Sequence, residues 1–159
     1  MEDVFQKLIL MIRAYYPVLY LHSYEYYRTK QKIKGIVELL RREGKKVNYY
    51  QWDCVYGLVQ ILPDKTEKRI ERMQNPLEVL AYILNSKKSG EKNIFVLDDI
   101  NNHIDRDEVK LMFRKIAEAT NNNTHAIILS SIYRLPAELE KYITVLQIPL
   151  PKRNELGEV

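Results

Sequence analysis

The amino-acid sequence predicts an α/β fold, in which a parallel sheet of about five strands has helices on both faces and so forms three layers. Short apolar runs of strand length alternate along the chain with amphipathic segments of helical length. Such alternation is typical of a parallel sheet built with right-handed crossovers. The apolar runs are nearly continuous rather than interrupted at every second residue, as expected for strands buried on both faces.

The first third of the chain contains two helices and two or three strands. Val4 to Tyr16 places apolar residues at helical spacing and stops before a proline. Val18 to Leu21 forms a buried strand, and a second helix follows and ends at Gly44, a residue suited to a left-handed cap. Val47 to Trp52 is rich in strand-forming aromatic residues, and Leu58 to Leu62 is a further strand whose pairing is open.

The middle of the chain begins with a charged segment, Pro63 to Gln74, which is predicted to be a solvated loop or a helical excursion. Asn75 and Glu78 then form a capping box that starts a third helix. A polar loop at 87–92 leads into the apolar strand Asn93 to Leu97.

A second capping box, Asp105 with Glu108, is predicted to open a fourth helix that ends near residue 120. Ala126 to Leu129 is the fourth strand, and Thr144 to Ile148 is the fifth, after a short helix at 136–142. From these elements we expect one domain over residues 1–151, with a tail or linker at 152–159.

Composition indicates a single domain and argues against a nucleic-acid-binding, a disulfide-bonded or a membrane protein. The chain has 159 residues, of which 46% are apolar, and this suits a single compact domain. The net charge of +4 is modest and Glu38 and Glu43 interrupt the basic stretches, so nucleic acid is not an expected partner. The single cysteine, Cys54, cannot form an internal disulfide and is expected to be half-buried. No segment is apolar and long enough for a bilayer, so we expect no membrane partner and a cytoplasmic location.

Polar residues follow the predicted strands, and in open parallel sheets ligands gather at the carboxyl ends of the strands. Ile94 to Asp99 has the shape of a Walker B segment, in which a buried strand delivers a carboxylate that holds the magnesium of a bound triphosphate. Ser130 follows the next strand, where related ATPases keep a small polar residue that senses the terminal phosphate. The polar clusters are His22 to Glu25, Asp53 to Gly57, Asp98 with Asp99, and Ser130 with Ser131.

The loop that would bind the phosphates themselves is missing. A phosphate cradle requires the pattern G-x-x-x-x-G-K followed by Ser or Thr, whereas the stretch from His22 to Lys30 contains no glycine and several bulky rings. Lys30 alone cannot replace such a loop. Without a cradle, the ordinary role of Asp98 and Asp99 is to cap a turn or to pair with a basic neighbour.

Two other residue types are interpreted as structural. The three histidines lie on separate segments without ligand spacing, and we expect ordinary surface or strand-end positions for them and no metal in this domain. Tyrosines are concentrated near the first strand, where rings pack in a core or at a protein interface more often than they stack on bases. These tyrosines are Tyr15, Tyr16, Tyr20, Tyr24, Tyr26 and Tyr27.

Several stretches together resemble the AAA-type ATPases encoded in plastid and cyanobacterial genomes. The resemblance implies that this chain matches their amino-terminal domain, a P-loop-like sheet without a Walker A loop, and that ATP and magnesium bind in a catalytic AAA module that follows it. It also implies the plastid stroma as an alternative location. The chain departs from that family in the basic segment near Lys65 to Arg72. The similar stretches are Arg13 to Leu21, Tyr50 to Trp52 with Gly57 and Leu58, Asn75 to Glu78, Ile127 to Ser131, Leu135 to Lys141 and Ile143 to Pro151.

Three hypotheses about function follow. The leading one is a non-catalytic domain that serves assembly, substrate recruitment or regulation in an AAA ATPase, with a catalytic AAA module as its partner in cis or in trans. The second is a degenerate but active nucleotide-binding or phosphohydrolase domain, with magnesium on Asp98 and Asp99, Ser130 as a phosphate contact and Glu25 as the base. The third is a stand-alone interaction protein that docks through its tyrosines or the 63–74 segment, with a homo-oligomer as one option.

Overall fold

The computed structural model describes residues 2–71, 73–86, 91–119 and 123–150. Helices and strands alternate as the sequence predicts, except that three strands follow one another between residues 47 and 70. The short helix predicted at 136–142 is a 3₁₀ helix, Ala137–Leu139. The helices are α1 (Glu2–Arg13), α2 (Tyr26–Arg42), α3 (Pro76–Ser86) and α4 (Asp107–Glu118). The strands are β1 (Val18–His22), β2 (Val47–Asp53), β3 (Gly57–Ile61), β4 (Glu67–Ile70), β5 (Lys92–Asp98), β6 (Thr124–Ser130) and β7 (Thr144–Gln147).

The described strands form one seven-stranded sheet in the order β4-β3-β2-β5-β6-β1-β7. The five strands from β2 to β7 in this order are parallel, as predicted. The strand count is larger than predicted because β3 and β4 extend the sheet in antiparallel pairing beyond β2. The connection between β2 and β3 is too short for a parallel crossover, so the two strands form a hairpin.

The segment predicted as a loop or helical excursion, Pro63 to Gln74, instead contains the edge strand β4. Its residues Glu67, Lys68 and Arg69 are exposed. Charged side chains are common on edge strands because they discourage pairing with another chain. A strand made of charged residues lacks the apolar pattern by which strands are predicted from sequence. The prediction for this segment was therefore wrong.

Two helical layers cover the sheet. Helices α1 and α2 pack on one face, where Leu19 and Leu21 of β1 point. Helices α3 and α4 pack on the other face, where Tyr20 of the same strand points. Successive residues of a strand point to opposite faces, so continuous apolar strands supply both cores at once.

The turns show which capping signals the chain uses. Asn75 caps α3, since its Oδ1 accepts a hydrogen bond of 2.9 Å from the backbone nitrogen of Leu77, and Gly44 has a positive φ of 88° after α2, as predicted. The predicted box of Asp105 and Glu108 is wrong: α4 begins at Asp107, after the extended residue Arg106, and has no side-chain cap. Several acidic residues lie close together there, so the sequence offers more than one helix start.

The turn between β2 and β3 is held by Asp53. Its Oδ1 accepts hydrogen bonds from the backbone nitrogens of Val55 (2.8 Å) and Tyr56 (2.7 Å). Gly57 ends the turn with a positive φ of 77°. Cys54 is exposed in this turn, in contrast to the half-buried position expected.

Two predictions concern residues outside the described part of the chain: the tail at 152–159 and most of the loop at 87–92. The domain boundary at 151 therefore stays a prediction. None of the helices in the described residues has the length and apolar character needed to cross a bilayer.

Candidate functional site at the carboxyl edge of the sheet

The strand order β5-β6-β1 brings the predicted polar clusters to one edge. Backbone hydrogen bonds continue beyond the ends of the strands, from the nitrogen of Asp99 to the oxygen of Leu129 and from the nitrogen of Ser23 to the oxygen of Ser130, both 2.9 Å. Asp98, Asp99, Ser130 and Ser23 therefore lie on adjacent chain segments, as expected for the carboxyl edge of a parallel sheet.

Lys30 of α2 reaches across this edge to Asp98. Its ammonium group donates a hydrogen bond to Oδ2 of Asp98, and the two side chains are only 23% and 14% exposed. Burial raises the pKa of the Asp98 carboxyl group, Lys30 acts in the opposite direction, and the charges of Asp99 and Asp53 add smaller upward contributions. The second oxygen, Oδ1, is buried and accepts no hydrogen bond within the described residues.

Tyr26, one turn before Lys30 on α2, connects the helix with the other aspartate. Its hydroxyl group donates a hydrogen bond to Oδ1 of Asp99 (2.5 Å) and accepts one from the backbone nitrogen of Ser131 (3.0 Å). Asp99 has a left-handed conformation with a φ of 58°, which turns the chain sharply after β5. The first two turns of α2 are thus attached by two separate contacts to the last residue of β5 and to the residue that follows it.

In the connection from β1 to α2, hydrogen bonds within the segment itself occupy the groups that could bind a ligand. Ser23 is fully buried, and its Oγ bonds to Oγ1 of Thr29 (2.9 Å) and accepts from the backbone nitrogen of Glu25 (3.1 Å). This is the position at which a phosphate loop would present free backbone amides. Glu25 precedes α2 without a side-chain cap, and no described contact joins its carboxylate to either aspartate.

Ser130, the predicted phosphate contact, is 1% exposed and already engaged. Its Oγ accepts a hydrogen bond of 3.1 Å from the backbone nitrogen of Ile132. The hydroxyl group of Tyr20 lies beside it and donates to the oxygen of Ile132 (2.6 Å). Ser130 therefore stabilises the turn after β6 and does not point into open space.

His22 lies at this edge, as the last residue of β1. Its Nδ1 and Nε2 lie 2.7 Å from Oε1 of Gln147 and 3.0 Å from the oxygen of Ser131, and these contacts join β1 to β7 and β6. Its ring lies 5.4 Å from that of Tyr24 and 6.1 Å from that of Tyr133. We call Tyr24, Ile132 and Tyr133, all exposed, the edge aromatic surface.

The other histidines lie elsewhere. His103 ends a short 3₁₀ helix after β5, and His125 is buried near the start of β6, where its Nε2 lies 2.9 Å from Nζ of Lys92. Among the described residues, no group of three or more His, Cys, Asp and Glu side chains is arranged to hold a metal ion.

Sequence reasoning identified the aspartates but missed the roles of Tyr26 and Lys30. A signal was available: the two residues are four apart, so they lie on the same face of a helix that follows the first strand. Their partners are 73 and 68 residues away along the chain, however, and no local pattern relates them.

The comparison with known families agrees with this geometry. Residues 4–148 match the model of the SpoVK-like AAA ATPase N-terminal domain. The chain belongs to this family. The resemblance drawn from the sequence stretches is therefore confirmed.

Similar proteins include AAA domain-containing proteins called ycf46. The protein from Guillardia theta is 28% identical over 149 residues, which are 92% of this chain and 28% of that protein. The protein from Trieres chinensis is 28% identical over 153 residues, 96% of this chain and 29% of that protein. This member of the N-terminal domain family thus spans less than a third of the length of these relatives.

A solved structure shows the same fold. A chain of the HORMA:CdnC:Trip13 complex from E. coli MS115-1 superposes with a TM-score of 0.50 and 10% sequence identity, over 97% of this chain and 55% of that chain. The α/β fold of this N-terminal domain is therefore shared with a solved structure, and its sheet is somewhat larger than predicted.

Proposed function

We propose that this N-terminal domain does not hydrolyse nucleotide itself and that it serves assembly, substrate recruitment or regulation in an AAA ATPase. The observation that carries the proposal is the pair of contacts from α2 to β5, Lys30 with Asp98 and Tyr26 with Asp99. They lie where a P-loop ATPase would hold magnesium and phosphates.

ATP and magnesium, which the family name suggests for the whole ATPase, do not fit the residues at this edge. A magnesium ion needs carboxylate oxygens, and Asp98 directs one oxygen to an ammonium group. A triphosphate needs free backbone amides, whereas Ser23 and the hydroxyl group of Tyr26 already bind those of Glu25 and Ser131. No step of phosphate chemistry is therefore assigned to this domain.

A protein contact is the function that the exposed part of this edge supports. The edge aromatic surface presents Tyr24 at 64% and Tyr133 at 48% exposure beside a rigid strand end. Large aromatic side chains are enriched in the central parts of protein interfaces, where they bury much area at small entropic cost. We assign this surface to contact with a catalytic AAA module, present in cis or in trans.

The first test measures binding of fluorescently labelled ATP with magnesium to the wild-type domain and to Asp98→Ala. We expect no saturable binding in the micromolar range for either protein. Micromolar affinity that disappears in Asp98→Ala would overturn the proposal.

The second test addresses the protein contact. The domain is joined to or mixed with a catalytic AAA module, and its mass in solution and ATPase rate are measured. Replacing Tyr24 and Tyr133 together by serine is expected to abolish the change in mass and in ATPase rate that the domain causes. The control is Tyr56→Ser, which replaces an exposed tyrosine in the β2–β3 turn and should leave that change intact. Equal behaviour of the two variants would exclude the edge aromatic surface as the contact.

One observation favours the second candidate, a magnesium-dependent phosphohydrolase that uses Asp98, Asp99, Ser130 and Glu25. Oδ1 of Asp98 is buried without a hydrogen-bond donor in the described residues, and such an oxygen can accept a metal ion or a proton. Release of phosphate from nucleotides by the wild type, above that of the variant with both aspartates replaced by alanine, would support it. Equal release would remove it.

A further inference from the structure

Nothing in the described structure requires a glycine at position 35, in the middle of α2. Gly35 lies within a 17-residue helix and is absent from the residues with positive φ. A Cβ atom built on it would have no heavy atom within 4 Å, apart from those of the glycine, its two chain neighbours and the backbone of the same helix. Glycine inside a helix costs about 0.5 to 1 kcal/mol relative to alanine. Neither the backbone nor the packing of the described residues requires that cost.

The open space beside Gly35 belongs to a cavity of about 310 Å³ between α2 and the β2–β3 hairpin. The apolar part of its lining comes from Val37, Tyr49, Ile61, Leu62 and Pro63. The volume lies at the lower end of the range of about 300 to 1,000 Å³ that is usual for small-molecule sites. The cavity therefore has room for a compact organic molecule.

The cavity is lined by three cationic side chains, those of Lys34, Arg41 and Lys65, and also by Gln31 and Glu38. Arg41 is held in place because its Nε and Nη2 donate to the oxygen of Val47 at 3.2 and 2.8 Å. A guanidinium group has five N–H donors, so others remain for a ligand. Lys34 and Lys65 also line the cavity without an ion pair in the described part of the chain, and Glu38 is its one acidic residue.

Arg41 is placed to bind an anion. Burial of its guanidinium group lowers the pKa, because the charged form has lost part of its hydration, and the nearby charge of Glu38 offsets this only in part. An anion in the cavity would compensate for that loss, and a carboxylate matches the planar fork of an arginine.

We propose that this cavity binds a small organic carboxylate, with its apolar body beside Gly35 and against Val37 and Ile61, and its carboxylate on Arg41. Lys34 and Lys65 add attraction for negative charge at the rim. The cavity shares no lining residue with the contact between Lys30 and Asp98, although Tyr49 lies close enough to feel the charge of Asp98. The proposal does not depend on the proposed function.

The probe for the test is 4-methylpentanoate, with 4-methylpentanamide as the uncharged analogue of the same shape. Amide chemical shifts of the isotope-labelled domain are followed during titration with each compound. Four variants are compared: Gly35→Leu, which fills the cavity; Gly35→Ala, which leaves most of it open; Arg41→Gln, which removes the carboxylate donors; and Arg42→Gln, a matched change at the exposed neighbouring residue.

We expect 4-methylpentanoate to produce saturable shifts around residues 34–41 and 61–65, with a dissociation constant in the millimolar range or below. Binding should weaken by about tenfold or more for the amide, for Gly35→Leu and for Arg41→Gln. Gly35→Ala and Arg42→Gln should bind like the wild type. If Arg41→Gln fails to fold, the comparison of Gly35→Leu with Gly35→Ala still decides.

Three results would overturn the proposal. One is the absence of any saturable shift up to about 20 mM probe, a concentration well above the affinity expected of such a site. Another is equal affinity for the acid and the amide. The third is equal binding by Gly35→Leu and Gly35→Ala.

Discussion

The ammonium group of Lys30 donates a hydrogen bond to the buried carboxylate of Asp98 and joins the start of α2 to the end of β5. In a nucleotide-binding sheet this carboxylate would face the magnesium ion of the ligand. Here a side chain of the same domain provides the positive charge. The contact connects the question of catalysis with the question of stability, and it is open to direct measurement.

Replacing Lys30 by methionine is expected to lower the free energy of unfolding by about 1 to 3 kcal/mol at pH 7, because a mostly buried carboxylate then loses its partner. The pKa of Asp98, already raised by burial, should rise further. A carboxyl group whose pKa is higher in the folded state than in the unfolded state destabilises the folded state at pH values above the unfolded pKa. Below the unfolded pKa the group is protonated in both states and has no such effect. The loss should therefore shrink as the pH falls towards the unfolded value.

Urea unfolding of the wild type, Lys30→Met, Asp98→Asn and the double variant measures this coupling. Asp98→Asn should restore much of the stability lost in Lys30→Met, because no charge is then buried. Additive effects of the two substitutions at pH 7 would show that the pair contributes nothing to stability.

Tyr26→Phe is expected to cost about 1 to 3 kcal/mol, because it leaves the Asp99 carboxylate without its phenolic donor and the backbone nitrogen of Ser131 without its acceptor. Tyr27→Phe is the matched control, since the adjacent ring is 78% exposed and should tolerate the change within about 0.5 kcal/mol. Thermal unfolding of both variants gives the comparison. Equal midpoints would contradict the assigned role of Tyr26.

Lys92 is expected to make the free energy of unfolding depend on pH in the alkaline range. Its ammonium group is buried between the oxygen of Ile12 (3.2 Å) and Nε2 of His125 (2.9 Å). Burial, with a smaller contribution from the charge of Lys45, lowers the pKa of Lys92 from 10.5 to about 8. Between these two values the unfolded chain binds more protons than the folded one, so the free energy of unfolding rises with pH across this window.

The increase attributable to Lys92 is on the order of 1 to 3 kcal/mol between pH 8 and pH 10.5. Lys92→Met has no titrating group at this position, so the difference in stability between it and the wild type should change with pH by that amount. Chemical unfolding at several pH values gives this difference and cancels the titration of other groups. A constant difference would show that the lysine has its ordinary pKa in the folded domain.

Two glycine substitutions should have opposite effects. Gly35→Ala should stabilise the domain by about 0.5 to 1 kcal/mol, because alanine favours the helix and the new methyl group meets no neighbour. Gly57→Ala should destabilise it by about 1 kcal/mol or more, because the residue has a positive φ and its Cβ would lie 3.2 Å from the backbone nitrogen of Met73. Thermal unfolding distinguishes the two. Destabilisation by Gly35→Ala would mean that α2 packs more closely there than described.

Part of the candidate site was predictable, and part was not. The apolar run that ends in Asp98 and Asp99 placed both carboxylates at the carboxyl edge, because strand direction follows from the alternation of strands and helices. The same reasoning expected these aspartates to cap a turn or pair with a basic residue, but it could not select Lys30 or Tyr26. The charged strand β4 was missed because its residues lack the apolar pattern by which strands are recognised.

By itself the sequence determined which segments are buried and in what form. Apolar periodicity is local information, and it was sufficient for the existence of the four α-helices and the five parallel strands. The residue types between His22 and Lys30 were sufficient to show that no glycine-rich loop is present there. The tertiary structure decided the antiparallel extension, the contacts of α2 with β5 and the cavity beside Gly35. These features depend on segments far apart in the chain, and their meeting is set by the packing of whole layers rather than by any local pattern.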